Sequence, residues 1–167
     1  MHAFEAERGI VLPEPYRTVV AEICDGTAEE TGPPFYGLVP VAEEPDDWDD
    51  PAGGRDLTRP FPLTKAVRFE GDGEELWEDD EEPIFNDGSV VLGTDGCGMY
   101  WHLIVTGPSR GHVWRIDEFG ATPFGAEFGH TTGEAGFAGW VRHWSERTGG
   151  LSSEGWFDAE EGAVRGE

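Results

Sequence analysis

The sequence is short of positive charge. Eleven Lys and Arg stand against thirty-five Asp and Glu, a formal net charge of −24 over 167 residues. Such a field repels nucleic acid and anionic membranes and excludes both as direct partners. It attracts basic proteins and speeds their encounter. Solubility, or the acidic proteome of a salt-adapted or high-GC organism, accounts for the same balance, and net charge alone names no partner. Cysteine is scarce too. Cys24 and Cys97 are the only two, too few for a disulfide framework or a thiolate metal site. No apolar run approaches the roughly 20 residues that a membrane-spanning helix needs. The opening MHAFEAERGIVLPEP has no basic region followed by an apolar core, so no signal peptide is expected. The expectation is a cytoplasmic protein with reduced thiols.

Aromatic residues are plentiful. Seven Trp and ten Phe help bring the aromatic share to 12%, more than a disordered chain of this charge carries. The length suits one domain, placed at 1–150, with 151–167 read as a polar, partly disordered tail. Residues 4–26 read as a helical opening: Tyr16, Val19, Val20 and Ile23 fall on one helix face, Pro13 suits the first turn, and Asp25-Gly26 supplies a stop. PPFYGLVPV and KAVRFE read as short strands, with RPFPL docking a Phe on the core between two prolines. The clearest signal spans 89–117. SVVLG, MYWHLIVTG and HVWRID are β-rich runs separated by the turn sequences TDGCG and PSRG. They predict an antiparallel three-stranded meander. Met99, Trp101, Leu103 and Val105 share one face; Tyr100, His102, Ile104 and Thr106 share the other. A last helix over 131–149 starts at a Thr131–Glu134 capping box and sets Phe137, Trp140, Val141 and Trp144 in one stripe. The fold class is therefore α+β, an antiparallel meander-type sheet flanked by N-terminal and C-terminal helices.

Candidate chemistry is thin. Cys97 has Asp95 beside it and His102 five residues on, but acidic neighbours raise a thiol pKa, and a nucleophile needs a base within reach. A small turn residue is the better reading. No pair of carboxylates stands out for acid–base work, and the acids lack Ca²⁺-loop spacing. The five histidines match no zinc pattern. Gly53-Gly54-Arg55 and the DGCG turn lack the Lys and the strand-to-helix setting of a phosphate loop. No catalytic residue, metal or cofactor is expected. What remains is acid. Asp46, Asp47, Trp48, Asp49 and Asp50 form one acidic stretch. The second, 70–82, has nine acids in thirteen positions and includes Glu74, Glu75, Trp77, Glu78, Asp79, Asp80, Glu81 and Glu82. Self-repulsion argues against a packed element there and for a long mobile loop. Each stretch holds one Trp, a residue enriched at interface hot spots. Either these rings anchor a partner, or they fold back and pin their loops to the core; the sequence leaves both open.

Three groups of residues carry a family resemblance. Glu5, Gly9, Ile10, Leu12, Pro13 and Tyr16 form an E-x-x-x-G-I-x-L-P-x-x-Y motif before a helix ending at Gly26. Gly88, Val90, Leu92, Gly93, Asp95, Gly96, Gly98 and Tyr100 form a strand–turn–strand signature, with Gly111 and Val113 on a further strand. Phe137-x-x-Trp140 closes the domain. Over roughly 5–147 the chain resembles the SUKH superfamily of Smi/Knr-type cell-wall assembly regulators and bacterial immunity proteins. The acidic stretches at 43–50 and 70–82 depart from the family's core. The resemblance implies a non-catalytic protein-binding domain. In bacteria it implies an immunity-type protein that binds and neutralises a cognate toxin, often a nuclease, whose phosphate-holding surface is basic. The alternative it implies is an intracellular regulatory or scaffold protein with no toxin partner. The two acidic stretches are the candidate partner-binding residues.

Overall fold

A computed structural model describes residues 1–28, 34–45, 54–68, 82–117, 119–125 and 135–148. The N-terminal helix α1 (His2–Arg8) stops at Gly9, which adopts a left-handed conformation and donates its N–H to the Glu5 carbonyl. The chain then runs without regular structure to α2 (Tyr16–Glu22). The expected continuous helical opening is thus two short helices, with Pro15 immediately before the second rather than Pro13 inside it. Glu14 serves the positive end of α2, accepting the Thr18 N–H at 3.1 Å and hydroxyl at 2.7 Å. Tyr16 is buried, and Val19 and Val20 pack partly against the core. Ile23, expected on that face, is 72% exposed, because α2 ends one residue before it.

Five antiparallel strands follow in spatial order β1-β5-β4-β3-β2. They are β1 (Val67–Arg68), β2 (Ser89–Gly96), β3 (Met99–Ile104), β4 (Val113–Asp117) and β5 (Gly120–Pro123). A short helix, α3 (Glu82–Asn86), leads into β2, and α4 (Phe137–Thr148) ends the described chain. The expected meander is β2–β3–β4, paired through Val90–Leu103 and His102–Trp114. Strand β5, absent from the sequence reading, continues it and receives β1 at the edge. PPFYGLVPV is not a strand. Pro34 and Pro40 have no N–H to give, and Gly37 takes a positive φ. The segment instead lies along the outer edge of β2, donating Tyr36 N–H to Thr94 O and Val39 N–H to Leu92 O. That covering blunts an edge otherwise open to pairing.

Both faces of the sheet are covered. Trp101, Leu103 and Val105 point into one core with Leu12, Tyr16, Phe124, Phe137, Trp140 and Trp144. Ile104 points into the other with Phe61, Ile84, Trp114, Ile116 and Ala121. The alternation read from MYWHLIVTG is the alternation observed. In the first core the Trp101 ring sits 5.7 Å from Trp140 and 6.3 Å from Trp144. Helix α4 therefore closes that face through the expected stripe. Its expected capping residues, Thr131 and Glu134, lie outside the described residues. Phe61, between its two prolines, is the ring that docks on the second core, 5.1 Å from Trp114.

Candidate functional site

The acidic residues Asp46, Asp47, Trp48, Asp49, Asp50, Glu74, Glu75, Trp77, Glu78, Asp79, Asp80 and Glu81 lie outside the described residues. Glu82 opens α3. What the structure does describe is the frame from which both stretches leave and to which they return.

That frame centres on Arg55, whose side chain is only 8% exposed. Its Nε donates to Glu44 Oε1. Its Nη1 donates to the carbonyls of Phe85, at 3.1 Å, and Ser89, at 3.3 Å. Glu44 precedes the first acidic stretch and Arg55 follows it; Phe85 follows the second. Three of the four chain ends that bound the acidic stretches thus meet at one guanidinium. A buried charge of this kind must be paired and hydrogen-bonded, and the planar fork of Arg suits several acceptors at once. Sequence reasoning took Gly53-Gly54-Arg55 as a turn and missed this role. No local pattern announces it, since one acceptor lies 11 residues earlier and the other two lie 30 and 34 residues further on.

Beside Arg55 lies a cleft of about 380 Å³. It is lined by Phe4 and Arg8 of α1, by Val41 and Glu43, and by Leu57 and Val90. The Arg8 guanidinium sits 5.9 Å from the centre of the Phe4 ring, within cation–π range. The cleft therefore combines apolar side chains with charges of both signs.

The groups considered for catalysis are placed apart. Cys97 is an exposed free thiol in the β2–β3 turn, at φ 52°. His102 is fully buried in β3 and shares a 3.0 Å hydrogen bond between Nδ1 and Ser89 Oγ. It lies three residues beyond Met99, about 10 Å along the strand at a rise of about 3.3 Å per residue. Burial, then the nearby Arg55 charge, hold its pKa well below the usual imidazole value. Asp95, two residues before Cys97, accepts the Phe35 N–H on one oxygen and the Trp101 indole N–H on the other. Among the described residues no three His, Cys, Asp or Glu side chains converge as metal ligands, and no helix is long and apolar enough to cross a membrane.

The E-x-x-x-G-I-x-L-P-x-x-Y motif also acquires a physical meaning. The Glu5 carboxylate accepts the Leu12 N–H at 3.0 Å and the Arg17 Nε at 2.8 Å. It ties α1, the Gly9 turn and α2 together while Leu12 and Tyr16 enter the core. The motif is a brace and brings no reactive group to the surface.

A sequence profile of the SMI1 / KNR4 family (SUKH-1) matches residues 1–132. The matched stretch ends before α4, although α4 supplies Phe137, Trp140 and Trp144 to the first core. No curated protein and no solved structure matches the chain. With the profile spanning most of its length and an α+β fold beneath it, the chain belongs to the SMI1 / KNR4 family (SUKH-1).

Proposed function

We propose that this chain is an immunity-type binding protein that neutralises a cognate toxin by covering a basic surface of it. The observation that carries this reading is that thirteen of the thirty-five acids fall in two stretches, three of whose four bounding chain ends meet at Arg55. Carboxylates presented from one frame steer a cationic partner and compete for a surface built to hold phosphate. A nuclease is the toxin class with such a surface. Mixed binding through carboxylates and the Trp48 and Trp77 set among them follows the usual interface pattern of aromatic anchors within a polar rim.

The test is co-expression with a candidate toxin domain, sought first among the genes next to this one. The expected result is a one-to-one complex that restores growth and weakens steeply between roughly 50 and 200 mM salt. A toxin left fully active with an equimolar amount of this chain, and no complex at low salt, would overturn the reading.

A further inference from the structure

Phe35 and Tyr36 stand in solvent beside the β2–β3 turn, 42% and 47% exposed. Their rings meet edge to face with centroids 5.1 Å apart. Single exposed aromatics need no explanation, but this pair is fixed from beneath. Phe35 N–H donates to Asp95 Oδ1 at 2.9 Å, and Tyr36 N–H donates to Thr94 O. The second Asp95 oxygen accepts the indole N–H of Trp101, whose ring is packed on Trp140 and Trp144. Glycines let the segment settle. A Cβ on Gly96 would lie 3.0 Å from the Tyr36 ring, and one on Gly93 would lie 2.4 Å from Pro34 Cγ. The fold thus half-buries a carboxylate, at a desolvation cost, and that carboxylate ties down the backbone from which the two exposed rings project.

Rigid aromatic side chains are the residues that dominate binding energy, because they bring large contact area and lose little rotamer freedom on association. Charge decides what they meet. A second copy of this chain would bring another −24 and be repelled. A cationic protein surface is drawn in by the same field, and Arg and Lys stack favourably on Tyr and Phe faces.

We propose that the Phe35–Tyr36 pair is a further aromatic anchor by which this chain docks on a basic protein partner, with Asp95 as the residue that positions it. The proposal rests on the reading above that the partner is basic, and it names a contact surface separate from the acidic stretches. The anchor takes an apolar segment flanked by Arg or Lys.

A phage-displayed library of random peptides, panned on the full-length chain, tests both parts. The expected outcome is enrichment of peptides that pair Arg or Lys with an aromatic or aliphatic residue. Their affinity should fall about 30-fold or more on a Phe35→Ser/Tyr36→Ser chain of unchanged Tm. Tyr36→Phe should bind as the parent does, and Asp95→Asn should weaken binding although it touches no peptide. If the double variant melts early, Phe35→Ser alone carries the comparison. Basic peptides indifferent to these changes would overturn the anchor and leave the basic-partner reading standing. Sensitive peptides without cationic excess would overturn the basic partner and with it the proposed occupant. A library that yields no specific peptide would overturn the anchor.

Discussion

Glu5 shows what one buried carboxylate does in this molecule. Hydrogen bonding from Arg17 holds its pKa below the ordinary carboxylate value, against the opposing effect of burial. A carboxyl whose folded pKa is depressed stabilises the fold above its unfolded pKa of about 4.3, and that stability is lost as pH falls through the folded pKa. Glu5→Gln should therefore lower Tm at neutral pH, and the gap from wild type should close as the melt is repeated at lower pH. His102 acts in a different window. It is held neutral in the fold but takes a proton at about pH 6.5 when unfolded. The unfolded state then binds more protons, so stability falls as pH drops below about 6.5. His102→Gln should flatten the Tm profile between about pH 5 and 6.5, whatever it costs at neutrality. Trp140 tests packing instead. Its ring is fully buried against Trp101, Phe137 and Trp144, so Trp140→Ala should cost about 3–5 kcal/mol by denaturant melt. That outcome would make α4 part of the stable unit, although it lies outside the matched family stretch.

Among the elements, the turn into β2 is tightly specified. Gly88 has φ +63°, and a Cβ there would lie 2.4 Å from Phe61 N and 2.6 Å from Arg59 O, both backbone atoms. Its carbonyl accepts the Val105 and Thr106 N–H groups, so it cannot simply shift. Gly88→Ala should cost more than about 2 kcal/mol, since the left-handed backbone alone disfavours a side chain by about 1–2 kcal/mol; equilibrium unfolding checks it. Elements of this sheet were legible in the sequence to the extent that they advertise themselves locally. The β2–β3–β4 meander did, through β-branched runs between turn residues, and so did the two faces of β3. Strand β5, Gly120–Pro123, did not. Its four residues carry no alternating pattern, and it is a strand because β4 and β1 are on either side of it. Helix α3 is five residues long and directly follows an acidic run, so no helical period could develop. Arg55 was hidden for the same reason at longer range: its acceptors are far off in sequence, and a Gly-Gly-Arg turn looks alike whether its Arg faces water or the interior. The Phe35–Tyr36 pair was legible as apolar residues but was assigned to a strand, because exposure depends on the Asp95 contact sixty residues away.

For the molecule as a whole, charge and fold are separable. The two described cores are built of apolar side chains, with Glu5, Asp87 and Asp117 buried among the charged residues, while all of the acidic stretches but Glu82 lies outside the described residues. Replacing the acids at 74–82 with Ser or Gln should leave Tm and the circular dichroism spectrum unchanged. In stopped-flow measurements with a basic partner it should slow association and flatten its salt dependence. An unfolded product would show that these residues support the core. The Arg55 junction gives this separation a further consequence. Because Arg55 and Glu44 are hydrogen-bonded across the first stretch, lengthening the chain between them should cost little more than closure entropy, about 0.6 kcal/mol for each doubling. A lineage carrying this scaffold could thus diversify by changing the length of what hangs from the fastening as readily as by exchanging side chains, and keep one unaltered sheet throughout.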